Sequence, residues 1–318
     1  MIRRIMIVRA GALGDVVMAL PAIRVLRECY PEATIEVAGY PGIWAVAGSL
    51  VDRCINVERA AFAGLLTGTS SPQLLDLLHG VDLAIVWTVQ DPGAVFRAAG
   101  IPRTIHASPF PPPGVHAIDW LLQSVASLPT AESASPILTF TNEELAESRS
   151  LLNQHGLSAP IILHPGAGAS WKCWPAERFA TVISQLVRRD KEVALIEGPS
   201  DAKAVGGVLA LTPAAPVVRE ESTRRLAAIL SQVSIFVGND TGVTHLAAAT
   251  GVPTIALFGP TDPASWAPRG DVRVLRVCTA RSAFQGQVRA CQDPRCLDRI
   301  SLEDVLSMVD QTIPCRTA

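Results

Sequence analysis

Residues 235–263 read IFVGNDTGVTHLAAATGVPTIALFGPTDP. Ile235–Gly238 is a short apolar run. Asn239, Asp240 and Thr241 interrupt it with residue types that open helices. Gly242–Thr250 then has the length of a short helix, and Gly251 closes it. Thr254–Phe258 is a second apolar run, followed by the turn residues Gly259-Pro260-Thr261-Asp262-Pro263. Strand, helix and strand in this order predict two parallel strands joined by a crossover helix. The stretch from Thr241 to Gly259 is also the best candidate for a membrane span. His245 and Pro253 interrupt it, so it reads as helix, turn and strand instead.

The same rhythm extends in both directions. Toward the C-terminus, Leu302–Ile313 is one more helix. Toward the N-terminus, Leu226–Gln232 is a helix, Glu192–Glu197 a strand, Ala176–Arg189 a helix and Ile161–His164 a strand. A first set precedes these: Ile5–Val8, Thr34–Ala38 and Asp82–Trp87 as strands, with helices over Val16–Cys29 and Val115–Leu128. Leu128–Phe140 is rich in Pro, Ser, Thr and Ala and reads as a linker or an edge crossing. Thr141-Asn142-Glu143-Glu144 is a capping box whose helix ends near Gly156. The expected fold is α/β with two Rossmann-like domains, 1–157 and 158–300. Two such domains leave a cleft at the carboxyl ends of their strands.

At 318 residues, with 49% hydrophobic and 18% charged, the chain has ample material for two cores. Disorder is excluded. A net charge of -2 leaves no overall basic field, so duplex nucleic acid is not an expected partner. The opening apolar run Ile5–Val8 is too short for a signal-peptide core, which sets a cytoplasmic expectation. The seven cysteines are expected as thiols. Cys278, Cys291 and Cys296 cluster without the paired spacing of a zinc site. Lysine is scarce: only Lys172, Lys191 and Lys203 among 27 basic residues.

Four Gly-containing loops follow strands. Arg9-Ala10-Gly11-Ala12-Leu13-Gly14-Asp15 partly fits a dinucleotide fingerprint, with Gly11 and Gly14 in place but Arg9 at the tight-turn position. Glu36 would then be the ribose carboxylate. Asp15 argues against that reading, because a carboxylate at a helix N-terminus repels pyrophosphate. It is read either as a helix cap or as a carboxylate that accepts a proton from a bound hydroxyl. His164-Pro165-Gly166-Ala167-Gly168-Ala169-Ser170-Trp171-Lys172 lets backbone N–H groups approach a ligand and offers a Lys to phosphate. Asn239–His245 places the N–H groups of Thr241 and Gly242 at a helix N-terminus, a ready anion site. Together the loops suggest a diphosphate-containing ligand. No metal is demanded, since no D-x-D pair or cage-like spacing occurs.

These residues resemble glycosyltransferase family 9, the heptosyltransferases of lipopolysaccharide core assembly. Ile5–Ala22 matches the family's ILIVR-x-x-x-LGDV-x-x-x-LPA, His164–Pro175 its HPGAG…K-x-WP, and Asn239–Pro263 its NDTG-x-x-HLAAA…LFGPTDP. The resemblance implies the GT-B fold, with the last helix, 301–318, crossing back onto the first domain. It implies an inverting, metal-independent transfer from a nucleotide sugar, ADP-heptose first, with no cofactor. The acceptor would be a hydroxyl of the lipopolysaccharide inner core, with peripheral contact at the inner face of the cytoplasmic membrane.

By position, Asp15 would be the general base and Lys172 the diphosphate contact. Gly14, His164, Gly166, Gly168, Asp201, Asp240, Thr241, Gly242 and His245 would bind the donor, Asp201 near the ribose. Cys278 lacks the CxxC that many members carry. Within the family the alternative is another nucleotide sugar with a non-lipid acceptor. Two other classes remain, a dinucleotide-dependent oxidoreductase and a nucleotide-sugar-binding protein without turnover.

Overall fold

The computed structural model describes residues 2–128, 138–278 and 295–312. Cys291 and the last residues of the chain lie outside them. The chain divides into two compact units, Met1–Ala134 and Ser135–Ala318.

The first unit holds β1 (Arg4–Val8), α1 (Leu13–Cys29), β2 (Thr34–Gly39), α2 (Pro41–Trp44), β3 (Arg53–Asn56), α3 (Ala63–Thr67), α4 (Pro72–Leu78), β4 (Leu83–Trp87), α5 (Gly93–Ala98), β5 (Arg103–Ala107) and α6 (Ala117–Ser124). Its sheet runs β3-β2-β1-β4-β5 and is parallel throughout. Met6, Val8, Ala84, Val86 and Phe96 lie in the core on one face of that sheet.

The second unit holds α7 (Asn142–Gln154), β6 (Ile161–His164), α8 (Ala176–Val187), β7 (Val193–Glu197), α9 (Ala202–Leu209), β8 (Val217–Arg219), α10 (Thr223–Leu230), β9 (Ile235–Asn239), α11 (Gly242–Ala249), β10 (Thr254–Phe258), α12 (Pro263–Trp266), β11 (Val272–Arg276) and α13 (Leu302–Thr312). Its sheet, β11-β10-β9-β6-β7-β8, is also parallel.

In each sheet the strand order reverses beside the first strand, between β1 and β4 and between β6 and β9. Open α/β sheets bind ligands at the carboxyl ends of strands flanking that reversal. The loops after β1, β6 and β9 are therefore placed by topology alone.

Two expectations about domain limits change. The boundary falls at 134/135, not 157/158. The reason is α7. It packs against α10, and Glu144 in its first turn accepts from Arg224 Nε at 2.7 Å and from Arg224 Nη2 at 2.9 Å. The last helix also belongs to the second unit: α13 packs against α8 and β11. Val305, Leu306 and Val309 enter the same core as Phe179 and Leu186.

The Glu144–Arg224 pair makes stability depend on acid. The side-chain hydrogen bond from Arg224 holds the Glu144 carboxyl down at about 2, from an ordinary 4.5. A depressed folded-state pKa contributes stability that is fully present above 4.5 and is lost as pH falls toward 2. Discounted for the solvent around both side chains, the contribution is about 1 kcal/mol. Glu144→Gln should therefore lower the melting temperature at pH 7 and leave it unchanged near pH 2.

Candidate functional site

In the first unit the chain leaves β1 into Arg9–Ala12 and enters α1. Asp15 is the third residue of that helix, not the residue before it. Its Oδ2 accepts from the Ala12 N–H at 3.0 Å. The carboxylate thus satisfies one backbone donor at the helix start. Gly14, the second helical residue, is half-buried. Gly11 has no room for a side chain, since a Cβ there would fall 2.7 Å from Asp15 Cβ. Asp15 is therefore pressed against the loop and still partly open to solvent. Glu36 is buried and accepts from Arg4 Nη2 at 2.6 Å and Arg53 Nη1 at 3.3 Å. That ion pair occupies the carboxylate that a dinucleotide ribose would need.

In the second unit, three arrangements organise the loops after β6 and β9. The first is a clip. Asn239, at the end of β9, is 0% exposed. Its Nδ2 donates to Pro165 O at 2.9 Å and Gly166 O at 3.2 Å, and its Oδ1 accepts from the Trp174 N–H at 3.0 Å. One amide thus ties both ends of the 165–174 loop to the neighbouring strand.

The second is an ion pair above the clip. Lys172 Nζ stands 2.7 Å from Asp240 Oδ2 and 5.5 Å from the centre of the Trp171 ring. The side chains are 26% and 9% exposed, so the carboxylate is the deeper partner.

The third is a support beneath the loop. His164 Nε2 and Asp201 Oδ2 lie 3.0 Å apart, and the Gly198 N–H donates to the same oxygen at 2.9 Å. Burial pushes the Asp201 carboxyl up, but the His164 ring and the Gly198 N–H outweigh it and leave it below the ordinary range. Asp201, expected beside a ribose, holds His164 and the Gly198 N–H with its Oδ2 under the loop.

Asp201 also explains Gly166. A Cβ at Gly166 would fall 1.9 Å from Asp201 Oδ1. Gly166→Ala should push the loop off its support and cost about 1–3 kcal/mol. A urea melt checks the cost, and nucleotide binding should weaken with it. Gly168 is exposed and a Cβ there meets nothing.

Thr241 is the residue before α11 and accepts from the Thr244 N–H at 3.3 Å. Gly242 is the first helical residue. The first amides of this helix have no acceptor within it, and Asp240 directly precedes the capping Thr241. His245 lies one turn in and is buried.

A family model described as glycosyltransferase family 9 (heptosyltransferase) matches residues 103–294, more than half of the 318. The chain belongs to glycosyltransferase family 9. It is 28% identical over 162 residues to lipopolysaccharide heptosyltransferase 3 of Escherichia coli, covering 49% of this chain and 48% of the relative. To lipopolysaccharide heptosyltransferase 1 of Pseudomonas aeruginosa it is 26% identical over 294 residues, 82% and 79% of the two chains. The chain thus spans about half the length of the first relative and most of the second.

Among solved structures it is similar to a family 9 glycosyl transferase of Veillonella parvula, with a TM-score of 0.81, 22% identity and 98% and 97% coverage. It is also similar to the E. coli ADP-heptose lipopolysaccharide heptosyltransferase II, with a TM-score of 0.76, 21% identity and 98% of both chains covered. These likenesses carry the GT-B fold.

Within this family 9 chain, the residues expected to act together divide by unit. Lys172, Asp240, Thr241 and Gly242 share one group of loops, with His164, Gly166 and Asp201 below them. Asp15 and Gly14 stand in the first unit. Two residues with clear structural roles had no role assigned from sequence. Asn239 was legible only as part of its motif, and Arg9 only as a misplaced residue in a glycine pattern. Among the described residues, Cys29, Cys54, Cys173, Cys278 and Cys296 form no disulfide with one another. Among the described residues no helix is long and apolar enough to cross a membrane.

Proposed function

We propose that this chain transfers heptose from ADP-heptose to a hydroxyl of a lipopolysaccharide-core acceptor, with inversion and without a metal. The observation that carries the reading is the Lys172–Asp240 pair, 2.7 Å apart beside the N-terminus of α11. A cation and helix amides suit a diphosphate, and a neighbouring carboxylate suits sugar hydroxyls. The family and its relatives support the heptose: their names specify lipopolysaccharide heptosyltransferases, and one similar structure is named for ADP-heptose.

In this reading the acceptor oxygen attacks the anomeric carbon and Asp15 takes its proton. The bond from that carbon to the diphosphate breaks. The nucleoside diphosphate leaves with the electron pair, and Lys172 with the Thr241 and Gly242 amides meets its growing charge.

The donor is tested first. A ligand at about 100 times its dissociation constant adds about 2.7 kcal/mol. ADP should therefore raise the melting temperature well above UDP or GDP at equal concentration. A pyrimidine preference would remove ADP-heptose as donor. Transfer from ADP-heptose should also survive EDTA; loss that Mg²⁺ restores would remove the metal-free mechanism.

A further inference from the structure

Arg9 is 2% exposed. A guanidinium in a protein interior is costly unless its charge and donors are matched. Among the described residues, the polar contacts of its guanidinium end on a single residue. Nε donates to the Asp15 carbonyl at 3.2 Å, and Nη2 lies 3.6 Å from Asp15 Oδ1. Among the described residues Nη1 is buried with no hydrogen-bond partner, so the side chain joins no wider polar network there. Burial pushes the guanidinium pKa down, and the Asp15 carboxylate opposes that shift.

The surroundings hold Arg9 in place. Its guanidinium carbon is 6.0 Å from the centre of the Trp87 ring, whose indole N–H donates to Ser124 Oγ at 3.0 Å. The Arg9 carbonyl accepts from Trp44 Nε1 at 3.2 Å. Trp44 in turn sits over Gly39, where a Cβ would fall 2.3 Å from that same nitrogen. Two tryptophans and a bare glycine thus fix one buried cation against one carboxylate.

We propose that Arg9 is the positioning residue of the base: it grips Asp15 by main chain and side chain at once and presents the carboxylate to the acceptor hydroxyl in one orientation. The proposal rests on the reading of Asp15 as the base. A Met or Leu would fill the same space without desolvating a charge. A planar fork reaches two acceptors on one residue, which the point charge of Lys does not.

The test is single-turnover transfer from ADP-heptose with wild type, Arg9→Met, Arg9→Lys, Asp15→Asn and the Arg9→Met/Asp15→Asn double variant. Arg9→Met should lower the rate about a hundredfold, the scale of a misplaced catalytic group. Its ADP thermal shift should stay close to wild type, because the groups assigned to the donor, Gly14 apart, lie in the second unit. Arg9→Lys should recover part of the rate.

In the Asp15→Asn background, Arg9→Met should add almost nothing, since a positioner has no effect once the base is gone. A wild-type rate in Arg9→Met, or two losses that multiply in the double variant, overturns the role of Arg9 and leaves Asp15 standing. A fully active Asp15→Asn overturns the base itself. If Arg9→Met does not fold, Arg9→Lys decides: a wild-type rate there overturns the proposal, and about a tenfold loss at an unchanged ADP shift supports it.

Discussion

Asp15→Asn is expected to slow single-turnover transfer by about 10²–10⁴, the usual contribution of a general base, while ADP still binds. Asn keeps an oxygen that can accept from the Ala12 N–H, so the helix start survives. It removes the negative charge that faces the buried Arg9 guanidinium, 3.6 Å from Nη2. Capping logic alone predicts almost no stability change, because Asn and Asp cap helices about equally. The structure predicts a loss of about 1–2 kcal/mol, since an unmatched buried charge is left behind. Rate and stability therefore fall together, and a thermal melt run beside the kinetics separates them. If the rate stays near wild type with chemistry limiting, another carboxylate must be the base.

Lys172→Ala should lower kcat by about 10²–10³, as expected when one preorganised charge is withdrawn from a leaving group. It should also weaken ADP binding. The substitution is not the mild loop change that exposure of a Lys suggests. Asp240, with a side chain 9% exposed, loses its partner, at a cost of about 1–2 kcal/mol. Lys172→Met/Asp240→Asn should recover most of that stability and none of the rate. Were the double variant to recover turnover, Lys172 would serve the fold and not the diphosphate.

Which elements were legible follows from where they sit. The apolar runs 5–8, 34–38, 82–87, 161–164, 192–197, 235–238 and 254–258 correspond to the inner strands of both sheets. The edge strands β3, β5, β8 and β11 gave no such signal. Arg53-Cys54-Ile55-Asn56 and Val272-Arg273-Val274-Leu275-Arg276 show why. An edge strand is half open to water, admits Arg, and loses the continuous apolar run of a strand buried on both faces.

The domain boundary shows a different limit. The Pro- and Ser-rich stretch 128–140 marked it in composition, but the strand–helix rhythm restarts only after Gly156. The choice between them turned on Glu144 meeting Arg224, a pairing 80 residues apart in sequence. The loops were readable because their chemistry is local. Their supports were not, because Arg9, Asn239 and Asp201 acquire meaning only from partners reached through the fold.

The Asn239 clip has a consequence for how this pair of loops can change, by selection or by design. The loop after β6 and the end of β9 are one inherited block: neither can be exchanged alone without orphaning three hydrogen bonds in a dry interior. Gly166 is locked for the same reason, by Asp201. Gly168 is the reverse, an open position with nothing within 4 Å of an added Cβ. Variation in this loop therefore has a natural outlet at Gly168, where a new side chain is grafted onto an anchored frame without disturbing it.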